Sequence, residues 1–280
     1  MSLQVWLPLD GRLDNFGLRG DITFYNENVS NIIIDNSGKI GKCYKRSTRE
    51  TDGVITSNST VNFNSDLSMC CWAKITSVVS ASDTANGLVT IHSHADNTGF
   101  AICVKEYSSS DYRISCSTGN GSSRTYNTYY GTTNIKDNWY HLALTYDSIK
   151  HELKLWVNGN CEYSGSCINA SKNDYIKIFT WSTTYQGNTF KPACSLNDVR
   201  IYDHCLSVKE VKEISKGLVR HYPLNEIIGK PNLLRNSSFS TQHNQTAWNT
   251  SKNGNKEPDY WNFYNSGVNN PSTCYHAHLV

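Results

Sequence analysis

The chain has almost no net charge to work with: 26 lysines and arginines stand against 24 aspartates and glutamates over 280 residues, a formal +2 at pH 7. Without a strong field of one sign, neither nucleic acid nor an anionic membrane is expected as a partner. Long apolar runs are missing too. The opening Met1-Ser2-Leu3-Gln4-Val5-Trp6-Leu7-Pro8-Leu9-Asp10 has no basic leader region, and it is too short and interrupted for a signal peptide core or a membrane span. With Met1 as the start, synthesis in a cytosol without export by the general secretory route is expected.

Signatures of catalysis are also lacking. No Glu-x-Asp-x-x-Glu triplet places acid and nucleophile carboxylates on alternate positions of one strand. There is no Ser-x-Asp-x-Gly-x-Thr-Trp box and no Gly-x-Ser-x-Gly elbow. Glu210 and Glu213 cluster, but on a capped helix where such charges form a solvated face, so the expectation is a protein that is not an enzyme. Ten cysteines are present without any Cys-x-x-Cys or Cys-Cys-His-His spacing, which argues against zinc and for buried thiols acting as small apolar groups. If 108–111 is the turn of a hairpin, Cys103 and Cys116 would face each other and could form a bridge, against which the reducing site of synthesis counts.

What the chain has in quantity is strand signal. Stretches 54–55, 67–75, 87–92, 100–104, 112–116, 139–146, 153–157 and 175–179 are rich in β-formers, and turn residues separate most of them. Asn158-Gly159 supplies the positive φ angles of a tight hairpin turn. The most informative stretch is Ser195-Leu196-Asn197-Asp198-Val199-Arg200-Ile201-Tyr202-Asp203-His204-Cys205-Leu206-Ser207, a strand leading into one short helix. Ser207 is its N-cap, Glu210 completes a capping box and Gly217 ends the run. Many short strands and one late helix predict an all-β sandwich.

The closing stretch resembles the last strand of laminin G-like, concanavalin A-type jelly rolls. So do Gly38-Lys39-Ile40-Gly41-Lys42-Cys43-Tyr44, Met69 to Ile75, Asn138 to Tyr146, and Leu153-Lys154-Leu155-Trp156-Val157-Asn158-Gly159, in the family's order. The resemblance implies a jelly-roll sandwich over residues 1–217 with one short C-terminal helix. Residues 218–231 then read as a linker strand, since Leu218 to Asn225 repeats the pattern of Leu3 to Asp10. Residues 232–280, with Asn232-Leu233-Leu234-Arg235-Asn236-Ser237-Ser238-Phe239 and Trp248 and Trp261 downstream, resemble the start of a second, carbohydrate-binding β-sandwich too short to be complete.

Related jelly rolls hold a structural Ca²⁺ where first and last strands meet. The resemblance therefore implies Asp198 as a carboxylate ligand, with Asp10 or a nearby carbonyl, and the Gly41 region, opposite it; the alternative is an Asp198 bonded to backbone N–H groups. His92 and His94, two apart on a strand, read as a water-exposed pair rather than as metal ligands. For sugar binding the useful aromatics are those outside the core. Tyr126, Tyr129 and Tyr130 in the Gly- and Ser-rich stretch 119–134, and Trp181 and Tyr185 in 180–190, are the candidates, with a subunit contact as the alternative use. Trp6, Trp72, Trp139 and Trp156 alternate along strands and read as packing residues.

The run from the helix into Asn232-Leu233-Leu234 also resembles bacteriophage and prophage virion proteins, which need no signal peptide because lysis releases them. The expected function is a non-enzymatic adhesin of a phage tail or head that binds surface polysaccharide and sits, as a homo-oligomer, among other virion proteins. Two other readings stand beside it: a structural virion component with protein contacts alone, and a glycoside hydrolase.

Overall fold

The computed structural model describes residues 2–217 apart from 28–29, 50, 63–64, 80–85, 171–172 and 185–190. Residues 1–219 form one compact unit and 220–280 a second. Of the second unit two short paired strands are described, so the linker and second-module expectations for 218–280 lie outside the described residues otherwise.

Two antiparallel sheets build the first unit. One runs in the order β13 (Asn160–Ser166), β12 (Glu152–Val157), β11 (Trp139–Asp147), β6 (Leu67–Ser77), β15 (Ala193–Tyr202), β4 (Cys43–Arg46) and β3 (Ile32–Asp35), and β1 (Leu3–Leu7) also pairs with β15. The other runs β10 (Arg124–Tyr130), β9 (Asp111–Gly119), β8 (Phe100–Ser108), β7 (Asn86–Thr90), β14 (Asp174–Ile178), β5 (Ile55–Val61) and β2 (Phe24–Asn26). The short pair beyond residue 219 is β16 (Asn262–Phe263) with β17 (Ala277–His278). The all-β jelly-roll sandwich with a single short helix is what the sequence predicts.

The core follows from the two-residue period of strands. Phe100, Ile102 and Val104 of β8, Ile114 and Cys116 of β9, Leu142 and Leu144 of β11, and Leu153 and Leu155 of β12 all enter one apolar cluster. The helix α1 (Val208–Ile214) lies on the other face of the first sheet, with Val211 packed against Cys70, Ala143, Trp156, Tyr202 and Leu206. Its capping box forms: the Ser207 hydroxyl accepts from the Glu210 N–H, and the Glu210 carboxylate accepts from the Ser207 N–H. Gly217 follows at φ +80°, and Asn158 and Gly159 take φ +49° and +79° in the β12–β13 turn, as predicted.

One register differs from expectation. Ser108 does oppose Asp111, but a bulge between Glu106 and Ser108 shifts the β8–β9 ladder by one residue, so Cys103 lies opposite Ser115 and not Cys116. A one-residue shift sends the two thiols to opposite faces. Cys116 joins the core while Cys103 contacts the Ser117 hydroxyl at 3.6 Å, and both are free.

The strand β15 carries a second bulge. Leu196, Val199 and Ile201 all face the core although 196 and 199 are three apart; the ladder with β6 absorbs the extra residue between Asn197 and Arg200, where Asp198 adopts φ +53°. The bulge sits where β15 changes partner from β4 to β1. Asn197 bridges the change: its amide N–H₂ donates to Pro8 O (2.6 Å), Leu9 O (3.4 Å) and Lys42 O (3.1 Å), while its Oδ1 accepts from the Ile40 N–H at 2.8 Å. Asp198 accepts from both Arg200 Nε and Nη2 at 2.9 Å and from Trp6 Nε1 at 2.8 Å. Burial opposes the charge on Arg200, but the attraction and hydrogen bonds of Asp198 outweigh it and hold the guanidinium pKa above its ordinary value.

These contacts bear on how Asp198 and Asp10 would serve a calcium ion. Carbonyl oxygens do converge where the first strand meets the last, but an amide N–H₂ already fills the space between them. The Asp198 carboxylate is taken by a buried guanidinium and an indole N–H, and Asp10 pairs with Arg12 at 3.3 Å. A cation here would lie against positive groups, so neither Asp198 nor Asp10 fits a Ca²⁺ ligand. Excess chelator or added calcium should therefore leave the thermal midpoint unchanged in a melting scan. Asp198→Ala should cost about 3–5 kcal/mol in denaturant unfolding, because it strands the Arg200 charge in a side chain that is 13% exposed.

Two histidines are buried by the sheets. His92 is fully inside rather than exposed to water, which corrects its reading as an exposed strand-end residue; His94 is half-buried. His141 is 1% exposed, and among the described residues neither of its ring nitrogens has a hydrogen-bond partner. Burial holds both His92 and His141 down to a pKa of about 3, aided by Arg124 and His94 for the first and Arg200 for the second. Since the unfolded chain takes up these protons near pH 6.5 and the folded chain does not, stability should fall as pH drops below 6.5. Between pH 6.5 and 4.5, above the carboxylate range, the unfolding free energy from urea titrations should decline with a limiting slope of about 2–3 kcal/mol per pH unit, and His141→Phe should roughly halve it.

Candidate functional site

The outer face of the second sheet is where side chains with ligand chemistry collect. On β8, Lys105 and Tyr107 point away from the core, since Ile102 and Val104 fill the alternate positions. Across the ladder Arg113 lies opposite Lys105, and on β10 Tyr130 lies opposite Ser115. Tyr107 is 50% exposed and its ring centroid is 5.7 Å from that of Tyr130. The Arg113 guanidinium covers one face of Tyr107 at 3.5 Å, and Lys105 Nζ stands 4.4 Å above the ring of Tyr130. Asp111 binds Arg113 through Nε and Nη2, at 2.7 Å for the latter.

Of the five aromatic candidates, the structure brings Tyr130 to this face and sends its neighbour elsewhere. The stretch holding Tyr126, Tyr129 and Tyr130 is the edge strand β10, not a loop, and adjacent residues on a strand take opposite sides. Tyr129 turns inward, packing against the core and against Tyr163 at 5.3 Å. It borders a shallow cleft of about 260 Å³ between the edge strands β10 and β13, lined also by Thr118, Asn120, Ser123 and Ile168. This is below the roughly 300–1,000 Å³ of ordinary ligand pockets. Tyr126 stands opposite Ser117 in the β9–β10 register, and its side chain lies outside the described ones. Tyr185 lies outside the described residues.

Trp181 is 3% exposed and does not serve as a displayed aromatic. The segment that follows β14 folds back over β7 instead of leaving the sheet. Phe179 N–H donates to Leu88 O, Thr183 N–H to His92 O and the Thr90 hydroxyl to Trp181 O, while buried Arg46 reaches from β4 to Phe179 O at 2.8 Å. Gly87 makes the crossing possible, since a Cβ there would lie 2.0 Å from Trp181 N. The indole then packs against His92 and His94 at 5.5 and 5.2 Å. Trp72 and Trp156 are buried as expected, and Trp6 and Trp139 are half-buried.

The reading of the sequence passed over Lys105, Tyr107, Arg113 and Asp111. Their signal was the alternation of 102–107 and 111–116, which assigns Lys105, Tyr107 and Arg113 to the face opposite the apolar residues.

Comparison with known proteins places this architecture. No curated protein sequence matches the chain. Among solved structures, the binding domain of Paraclostridial Mosquitocidal Protein 1 superposes with a TM-score of 0.54 at 18% identity, over 76% of this chain and 52% of that one. Domain 4 of AbnA, a GH43 extracellular arabinanase from Geobacillus stearothermophilus solved with arabinotriose, gives 0.54 at 18% identity over 76% of this chain and 98% of that one. The binding domain of botulinum neurotoxin serotype G gives 0.53 at 14% identity over 77% and 51%. The chain thus spans about half the length of the two toxin binding domains, and at these identities the likeness is one of fold. Residues 48–212, from before β5 to within the helix α1, match the sequence family described as the concanavalin A-like lectin/glucanases superfamily, and the chain belongs to that family.

Proposed function

We propose that this chain is a non-enzymatic carbohydrate-binding module of a phage virion, and that it holds sugar on the outer face of β8–β10. The observation that carries the reading is the pair of tyrosine rings, Tyr107 and Tyr130, displayed beside hydrogen-bonding Lys105, Arg113 and Asp111 on a rigid sheet. A sugar ring presents an apolar C–H face to an aromatic plane and a rim of hydroxyls to donors and acceptors. A small set of polar groups beside aromatic surface suits both.

The family includes both lectins and glucanases, so the chemistry of the patch bears on the choice. Glycoside hydrolysis needs two carboxyl groups flanking the scissile bond, about 5–5.5 or 6.5–9.5 Å apart. Among the described residues the carboxylate in this patch is Asp111, and it is committed to Arg113. Binding without turnover is the role this supports. The arabinanase domain with its arabinotriose offers a precedent for sugar recognition on the same fold. The virion setting rests on the sequence resemblance around 217–239.

A glycan array with the purified full chain should show saturable binding to a bacterial surface polysaccharide, and Tyr130→Ala should weaken it at least tenfold while leaving the thermal midpoint within a few degrees. An empty array together with a stable homo-oligomer by light scattering would move the protein to the structural reading. Reducing sugar released by the wild type and lost on substitution of one carboxylate would overturn the non-enzymatic assignment.

A further inference from the structure

Resting on that reading, we infer that the Lys105–Tyr107–Arg113–Tyr130 patch is the subsite for an anionic sugar, a uronic or sialic acid residue whose carboxylate is met by Lys105. The argument begins with a cost. Lys105 and Arg113 are direct cross-strand partners in the β8–β9 ladder, and like charges in that position repel. A strand selected for stability alone would carry opposite charges there.

The pair is offset only in part. Asp111 satisfies Arg113 through three contacts of 2.7–3.2 Å, and Arg113 is spread flat on Tyr107. Nothing comparable answers Lys105. Glu106, its chain neighbour, lies opposite Tyr112, a core residue, and so takes the other face. Among the described residues Lys105 has no carboxylate within ion-pairing distance, and its ammonium rests instead on the π face of Tyr130. Among the described residues the patch therefore holds two cations and one anion, with one positive charge left over beside two aromatic rings.

Each element has a task for one class of ligand. Tyr107 stays 50% exposed with Arg113 over its ring, which leaves aromatic surface for a pyranose ring. Lys105 stands two residues back on the same strand face, about 7 Å along the strand, a distance spanned by a sugar ring and its carboxylate. A neutral sugar would leave the spare charge unused. A nucleic acid, with its run of phosphates, would need a row of cations, and a chain of net charge +2 offers none.

The test uses the full chain and defined oligosaccharides in titration calorimetry. Oligogalacturonate and its carboxyl-reduced counterpart form one pair, sialyllactose and lactose the other. The acidic member of at least one pair should bind about tenfold tighter than its neutral counterpart, and the preference should shrink as salt rises from 50 to 500 mM. Lys105→Gln should erase the preference while keeping the neutral affinity, and Lys209→Gln, which removes the same charge from the exposed face of α1, should change neither. The pair that shows the effect separates uronic from sialic acid. Equal affinity for acidic and neutral members, or a preference that survives Lys105→Gln, overturns the anionic subsite and leaves the sugar-binding reading standing. Absence of binding to all four sugars and to the glycan array overturns both.

Discussion

The sandwich depends on what happens at Asn197 and Asp198. The strand β15 is the one that changes partner within its own length, from β4 to β1, while pairing continuously with β6 on its other side. Such a change leaves a row of carbonyl oxygens with no strand opposite them, and buried acceptors without donors are costly. The extra residue of the bulge lets Asn197 turn its amide into that gap, and lets Asp198 turn its carboxylate onto Arg200 and Trp6. Segments nearly two hundred residues apart in sequence are joined there by neutral and charged hydrogen bonds. With the seam closed, the inward positions of the first and last strands can share one core.

From that core the placement of every displayed side chain follows by parity. The aromatic patch is what remains when Ile102, Val104, Tyr112 and Ile114 have been buried: the residues between them must face outward. The same rule separates Tyr129 from Tyr130. The set of side chains displayed on this face is therefore a by-product of register, and the bulges at Glu106–Ser108 and at Asn197–Arg200 set the register on the two sheets.

Most of the architecture was legible in the chain itself, because strands, the Asn158-Gly159 turn and the Ser207–Glu210 cap are written in local patterns. Less legible were features that depend on a partner distant in sequence. The bulge before Ser108 reversed the pairing of Cys103 with no local signal beyond a serine run. Trp181 reads as exposed because its neighbours are turn formers, yet Gly87, more than ninety residues earlier, admits its backbone to the sheet. The candidate site was legible in part: Tyr130 stood out as an aromatic in a polar stretch, whereas Tyr107 and Arg113 were hidden in what reads as ordinary strand. The resemblance points to Asp198 as a metal ligand at the seam, but the sequence could not show that Arg200, two residues on, would fold back to neutralise it.

The cysteines described above have a consequence for handling the molecule. Cys70, Cys103 and Cys194 are pushed by burial up to a pKa of about 12, and Cys71 and Cys116 well above the ordinary range, so their thiolate forms are negligible at neutral pH. Oxidants and alkylating reagents act on thiolate that they can reach, and in the described residues the exposed thiol is Cys161, on the edge strand β13. Among the described thiols a maleimide dye would therefore mark that edge first, placing a fluorescent reporter at the sandwich rim.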